Sequence, residues 1–267
     1  MKLYVKALSG YRGRLKDIDL KKELKSKYKL DTRRQDTFIH LAVYGAQLLK
    51  EETSIYSDDE LYITSGVGNI DVLQKTNNYV QEEKDFIKPF DFINMLGNTT
   101  SYYVANSLGM KDKNMFQISD NFTYINTLIS IFASLKMSHK EAVLGSVDLC
   151  TEPDEVIKRV LGVDEDTEVT SSVAYQKFSL SSIDAIAELE FDAKVYSLEE
   201  IKALVQKSNL NIVSSMRCED LELFQDKEFF ETMPSYYLNQ AVQTKRDLLY
   251  IDSYENRYRV IKVVNLV

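Results

Sequence analysis

Residues 114–148, NMFQISDNFTYINTLISIFASLKMSHKEAVLGSVD, constrain the fold more than any other stretch of the chain. Met115 to Ile118 is short and apolar and reads as a strand. Phe122, Ile125, Leu128, Ile129, Phe132 and Leu135 then recur on one face of a long helix. Ala142 to Leu144 reads as a second strand, closed by a small-residue turn at Gly145-Ser146. A helix this apolar is buried, so strands on either side of it predict a layered α/β fold. The polar turn Ser119-Asp120-Asn121 stands at the head of that helix, where a strand-to-helix turn can display a nucleophile. No cysteine stands there.

The rest of the chain extends the pattern. Leu3–Ala7 reads as a strand, Asp19–Lys29 as a charged helix, and Thr37–Lys50 as a buried amphipathic helix. Leu61–Thr64 is a strand running into the glycine turn Ser65-Gly66-Val67-Gly68, and Ile70–Val80 is helical. Pro89 opens a loop, and Asn98 or Thr99 caps a helix that stops at Gly109. Beyond residue 150 the signals weaken. Asp154–Leu161 and Ser197–Lys207 read as helices; Val173–Leu180, Phe191–Tyr196 and Ile212–Met216 read as strands. Leu248–Asp252 and Tyr258–Val264 form a closing hairpin around Tyr254-Glu255-Asn256. No internal repeat is visible.

Composition excludes several functions. The 267 residues are 44% hydrophobic, enough for a large core. The net charge of −8 argues against nucleic-acid binding, which needs clustered cations to release counterions. One basic cluster, Lys21 to Lys29 with Arg33 and Arg34, is interrupted by Glu23 and Asp31; it reads as a solvated face or a docking patch for an acidic carrier protein. Cys150 and Cys218 have no CxxC or histidine neighbours, so neither a disulfide framework nor a metal site is indicated. Asp164-Glu165-Asp166 with Glu168 lacks the glycine of a calcium loop. Gly66-Val67-Gly68 lacks the third glycine of a dinucleotide fingerprint, so no cofactor is indicated. Nothing reads as a signal peptide or membrane span, which makes the cytoplasm the expected location.

The order of these elements resembles the N-terminal half of a β-ketoacyl synthase of the thiolase fold. TRRQDTFIHLAVYGAQLL resembles the early helix of those enzymes, and LYITSGVGNID the next strand and its turn. PFDFINMLGNTTSYYVANSLGMKDKN resembles the approach to the nucleophile, and AVLGSVD the strand after its helix. SSVAYQKFSLSSIDA is a fainter match. The resemblance covers residues 33–185. It implies a thiolase-like layered αβα(βα) architecture, residues 1–185 forming the N-terminal-half-like part and 186–267 a shortened C-terminal half fused to it.

The departures from that family decide the function. At the family's spacing from Asn114 to the nucleophilic cysteine, this chain has Asn121; a slip of one residue brings Asp120 or Phe122 there. The family also uses two C-terminal-half histidines to stabilise the enolate and oxyanion, whereas His40 and His139 both lie in the N-terminal half. The resemblance therefore implies a degenerate nucleophile turn at Ser119, Asp120 and Asn121 with no catalytic residues. It also implies a chain-length-factor-type subunit without catalytic activity. Such a subunit pairs with a catalytic ketosynthase, or with itself, through the edge strand Met115, Phe116, Gln117 and Ile118, and an acyl carrier protein is a further partner. Two other readings stand beside it: a thiolase-fold scaffold without acyl chemistry, and an enzyme of unrelated chemistry using Ser119 or Asp120 with Asp148 and Glu152.

Overall fold

The computed structural model describes residues 1–119, 121–150, 154–215, 218, 221, 228–230 and 232–266. Its first part runs β1 (Lys2–Gly13), α1 (Leu20–Ser26), α2 (Thr37–Glu52), β2 (Glu60–Thr64), α3 (Ile70–Asn78), α4 (Pro89–Asn94), α5 (Gly97–Leu108), β3 (Asn114–Gln117), α6 (Thr123–Ser138), β4 (Ala142–Asp148), α7 (Glu155–Leu161), β5 (Glu168–Val169) and β6 (Ser171–Ser179). Then follow β7 (Ala187–Phe191), α8 (Leu198–Lys207), β8 (Asn211–Ser214), β9 (Glu228–Phe229), α9 (Met233–Gln243), β10 (Leu248–Tyr254) and β11 (Arg257–Asn265). Local chemistry fixes many of the ends. Asp19 and Asp36 cap α1 and α2, each side chain accepting a backbone N–H of the first turn. Ser197 and Glu200 form a capping box on α8. Glu255 and Asn256 both take positive φ, the backbone of a tight two-residue hairpin between β10 and β11.

Nine strands form one sheet in the order β3-β2-β4-β6-β1-β7-β11-β10-β8, while β5 pairs with β9. The order hides a repeat that the sequence does not show. In the first part β2 and β4 are parallel, β4 and β6 antiparallel, and β6 and β1 antiparallel. In the second part β8 and β10 are parallel, β10 and β11 antiparallel, and β11 and β7 antiparallel. The two parts meet where Lys2–Val5 of β1 pairs with Ala187–Glu190 of β7. Among the described residues the second part has no counterpart of β3, so it has four strands where the first has five.

The faces of the strands sort into three cores. Leu61, Ile63, Val143, Val147, Val173 and Tyr175 face outward onto α1, α2 and α5. Tyr62, Ala142, Leu144 and Phe178 share the inner core with Leu189, Phe191, Tyr250 and Val263 of the second part. That inner core is filled by α6 and α9. Phe132 of α6 meets Phe191 edge-on at 6.4 Å between ring centroids, and Tyr237 of α9 stacks on Tyr250 at 5.8 Å. The outer face of the second part packs Leu249, Ile251, Tyr258 and Val260 against Ile201 of α8. The result is a thiolase-like stack of helix, sheet, helix, sheet and helix.

The structure corrects several sequence expectations. Gly145 and Ser146 lie inside β4 and do not close it. Gly145 is there because the Tyr175 ring presses on it: a Cβ at Gly145 or Gly45 would come within 3.0 Å of that ring. Tyr175 is fully buried and donates its hydroxyl to the Ala42 carbonyl at 2.9 Å. Pro89 begins a helix instead of a loop, since proline suits the first helical position. Leu96, not Asn98 or Thr99, is the N-cap of α5. The strand expected at Phe191–Tyr196 is β7, ending at Phe191; Tyr196 keeps only a bridge to Tyr258. Strand β1 continues past Ala7 to Gly13, and α9 carried no recognised signal. Met216, at the end of the strand expected at Ile212–Met216, lies outside the described residues.

Replacing Gly145 by alanine forces Tyr175 against Gly45 and Val173. Overpacking of this kind costs about 1–3 kcal/mol. Urea denaturation of Gly145→Ala should show that loss; an unchanged midpoint would contradict the clasp around Tyr175.

Candidate functional site

In α/β sheets ligands collect beyond the carboxyl ends of parallel strands. Here those ends are the turn after β2, the turn after β3 and the residues after β4. The turn after β3 leads into α6 through Phe122, which holds φ 51° and ψ 33°, left-handed values that cost energy for an aromatic residue. Thr123 donates its hydroxyl to the Ser119 carbonyl at 2.9 Å, and the Asn126 amide donates to the Asn121 carbonyl at 3.2 Å. Two bonds thus hold the strained turn from inside the first helical turn. Asp120 and Glu152 lie outside the described residues.

A residue that the sequence reading missed completes this site. Arg259 of β11 donates Nη1 to Asn126 Oδ1 at 3.0 Å, and its guanidinium lies 5.4 Å above the Phe122 ring. Burial pushes the Arg259 pKa down, against the pull of Asp192 and Asp252. The head of α6 is therefore an aromatic ring, buried and covered by a cation from the second part of the chain. The sequence gives no distinguishing signal for it, since β11 also carries Arg257 and Lys262.

The neighbouring turn is held by Asp148, at the end of β4. Its carboxylate accepts from Gly66 N at 2.9 Å, Ser65 Oγ at 3.4 Å, Thr232 N at 2.8 Å and Thr232 Oγ1 at 2.5 Å. Thr232 is the N-cap of α9, so one carboxylate joins the turn after β2 to the head of the second inner helix. Gly68, at φ +68°, closes that turn against Ile118. Burial pushes the Asp148 carboxyl above its ordinary value of 3.8, although the four donors pull the other way.

The remaining candidates are dispersed. Ser119 is half-buried, and no histidine or carboxylate of a described residue is hydrogen-bonded to its hydroxyl. His40 is buried in α2 with Nε2 3.3 Å from the Thr32 carbonyl, and burial lowers its pKa. His139 is exposed at the opposite end of α6, a 16-residue helix that spans about 24 Å. Neither imidazole reaches the head of α6. Cys150 is half-buried and Cys218 is buried in the outer core. Glu168 pairs with Arg14 at 3.0 Å. Among the described residues no group of His, Cys, Asp and Glu could hold a metal ion, and no helix is long and apolar enough to cross a membrane.

Met115 to Ile118 lie at the outer edge of the sheet, where among the described residues β3 pairs with β2 alone. Met115 and Ile118 are 37% and 49% exposed. Phe116 instead turns inward against Gly97 and meets Phe38 edge-on at 6.4 Å.

No family model and no curated protein matches the sequence. Solved structures do match the fold. The ishigamide ketosynthase/chain length factor aligns over 100% of both chains with a TM-score of 0.72 at 8% identity. A ketosynthase in complex with its chain length factor from Xenorhabdus doucetiae aligns over 98% of this chain and 99% of its own, with a TM-score of 0.62 at 10% identity. A type II acyl-carrier protein complex with its ketosynthase gives 0.65 at 9% identity over 99% of each chain. The chain thus has the thiolase-like fold of the ketosynthases.

The raised carboxyl of Asp148 carries a pH signature. The folded chain holds that proton more tightly than the unfolded one, so its contribution to stability is full below 3.8 and is lost as pH rises through the higher folded value. The stability advantage of the wild type over Asp148→Asn should therefore shrink between acid and neutral pH. Urea denaturation across that range checks it; a constant or growing difference would refute the buried carboxyl.

Proposed function

We propose that this chain is a non-catalytic, chain-length-factor-type subunit that pairs with an active β-ketoacyl synthase in fatty-acid or polyketide assembly. One observation carries the reading. The turn that heads the buried helix offers Asn121 and a buried Phe122 under the Arg259 guanidinium, and its own sequence, Ser119 to Phe122, carries neither cysteine nor histidine. A thioester needs a thiolate to form, and carbon–carbon bond formation needs a group to hold the oxyanion. On this reading residues 1–185 correspond to the N-terminal half of a ketosynthase and 186–267 to a reduced C-terminal half.

The edge of the sheet supports pairing. Among the described residues strand β3 presents an unpaired edge, with exposed Met115 and Ile118. The segment before it exposes Phe86, Phe90, Phe92, Ile93 and Leu96. An open strand edge beside apolar surface is unstable against association unless a partner covers it. The same fold occurs in a ketosynthase solved with its chain length factor. An acyl carrier protein is the further partner that this role brings.

Co-expression with an active β-ketoacyl synthase from the same organism should give a 1:1 heterodimer by light scattering after gel filtration. Met115→Glu and Ile118→Lys should weaken that dimer at least about tenfold without unfolding the chain, because both side chains are exposed. A chain that stays monomeric, or that pairs only with itself, overturns the proposal in favour of a scaffold.

A further inference from the structure

The internal repeat allows each half to be compared with the other. Val143 of β4 faces Lys177 of β6 and Leu61 of β2. At the same register Leu249 of β10 faces Lys262 of β11 and Ile212 of β8. Lys177 and Lys262 are thus equivalent positions, each on the outer face of its sheet.

Their surroundings differ sharply. The Lys177 side chain is 2% exposed. Its Nζ lies 3.0 Å from Asp59 Oδ2 and 2.8 Å from Glu141 Oε2 and donates to the Ser54 carbonyl at 2.9 Å. The Tyr56 ring lies 4.8 Å away. The segment 53–59, between α2 and β2, supplies all of these contacts except Glu141. In the second half the corresponding connection is only 208–210, between α8 and β8. It leaves an open groove of about 690 Å³ floored by Leu204, Leu210 and Leu249 and edged by Lys194, Lys207 and Lys262. Among the described residues Glu200, paired with Lys194 at 2.8 Å, is the one acidic residue lining the groove, and Glu190 lies 3.7 Å from Lys262 Nζ.

We infer that this groove docks an extended segment of a partner protein carrying an aromatic side chain followed by carboxylates, the chemistry that residues 54–59 supply to the first half. Charge complementarity selects the occupant. Glu200 and Glu190 offset two of the three lysines, so the apolar floor keeps a net positive edge at Lys207 that attracts an anion with an apolar body, and the volume suits one aromatic residue and its neighbours. Openness to solvent along the groove fits a polypeptide better than an enclosed small molecule. The first half shows the finished contact: aromatic face over the lysine, carboxylate beside it, main-chain carbonyl beneath. This surface lies at the opposite end of the sheet from β3, so both partners can bind together.

The test titrates the ¹⁵N-labelled full chain with a synthetic peptide of the sequence TSIYSDDE, which reproduces residues 53–60. Saturable shifts confined to α8, β10 and β11, with a dissociation constant below about 1 mM, are expected. Peptides with alanine for the tyrosine or amides for the carboxylates should bind at least tenfold more weakly. Lys262→Glu should weaken binding by a similar factor. Lys207→Glu, at the exposed end of α8 and in no ion pair among the described residues, should do the same and guards against misfolding of the first variant. Absence of shifts, or binding indifferent to these changes, overturns the proposal. So does decanoate binding the groove when the peptide does not, which would make it a site for a small amphiphile.

Discussion

The antiparallel pairing of Lys2–Val5 with Ala187–Glu190 is the constraint on which the rest of the molecule depends. It joins the first strands of two half-sheets, so their inner faces must share one core. Two helices fill that core. Buried polar groups then fix their positions. Gln176 donates to Asn239 Oδ1 at 2.7 Å and to the Ser235 carbonyl at 3.2 Å, and Asn239 donates to the Ser9 carbonyl at 2.7 Å. Tyr124 of α6 reaches Gln176 Oε1 at 3.4 Å. Buried amides without partners are costly, so such a network specifies one packing of α6, α9, β1 and β6.

That packing also determines where chemistry could occur. Both inner helices begin at the same end of the sheet, and Asp148 ties the head of one to the turn after β2. The scaffold therefore delivers a strained residue to the head of α6 whatever its side chain. In this chain the residue is Phe122, and it contributes packing with Arg259. Loss of reactive groups at this point need not disturb the strand pairing, because the fold is held by the inner core and the β1–β7 junction. A catalytic architecture can thus persist as a binding subunit.

Much of the first half was legible in the sequence, and the reason is periodic. The apolar face of α2 and the run from Phe122 to Leu135 leave little freedom in where those helices pack. Departures arose where tertiary contact overrode a local rule. Gly145 read as a turn residue because the close approach of Tyr175 comes from a distant strand. Strand β1 was cut short at Ala7, where a register shift between Val5 and Ala7 moves its buried side chains from the inner core to the outer one. Helix α9 was missed because its buried face is built from Tyr237, Asn239 and Ser235 as well as aliphatic residues. The repeat was invisible because it resides in strand pairing, not in residue identity: Lys177 and Lys262 match, but Tyr175 is matched by Val260. At the site, the turn that heads α6 was legible from the strand-then-helix pattern, whereas Arg259 was not, being brought there by a strand more than a hundred residues away.

The central claim is that this protein keeps a condensing-enzyme fold without the ability to carry an acyl group. Intact-mass spectrometry of the purified chain after incubation with acetyl- and malonyl-loaded carrier protein tests it most directly. The account predicts an unmodified mass, alone and beside its ketosynthase, with any acyl adduct confined to the partner. A covalent acyl adduct on this chain that survives denaturation would contradict it.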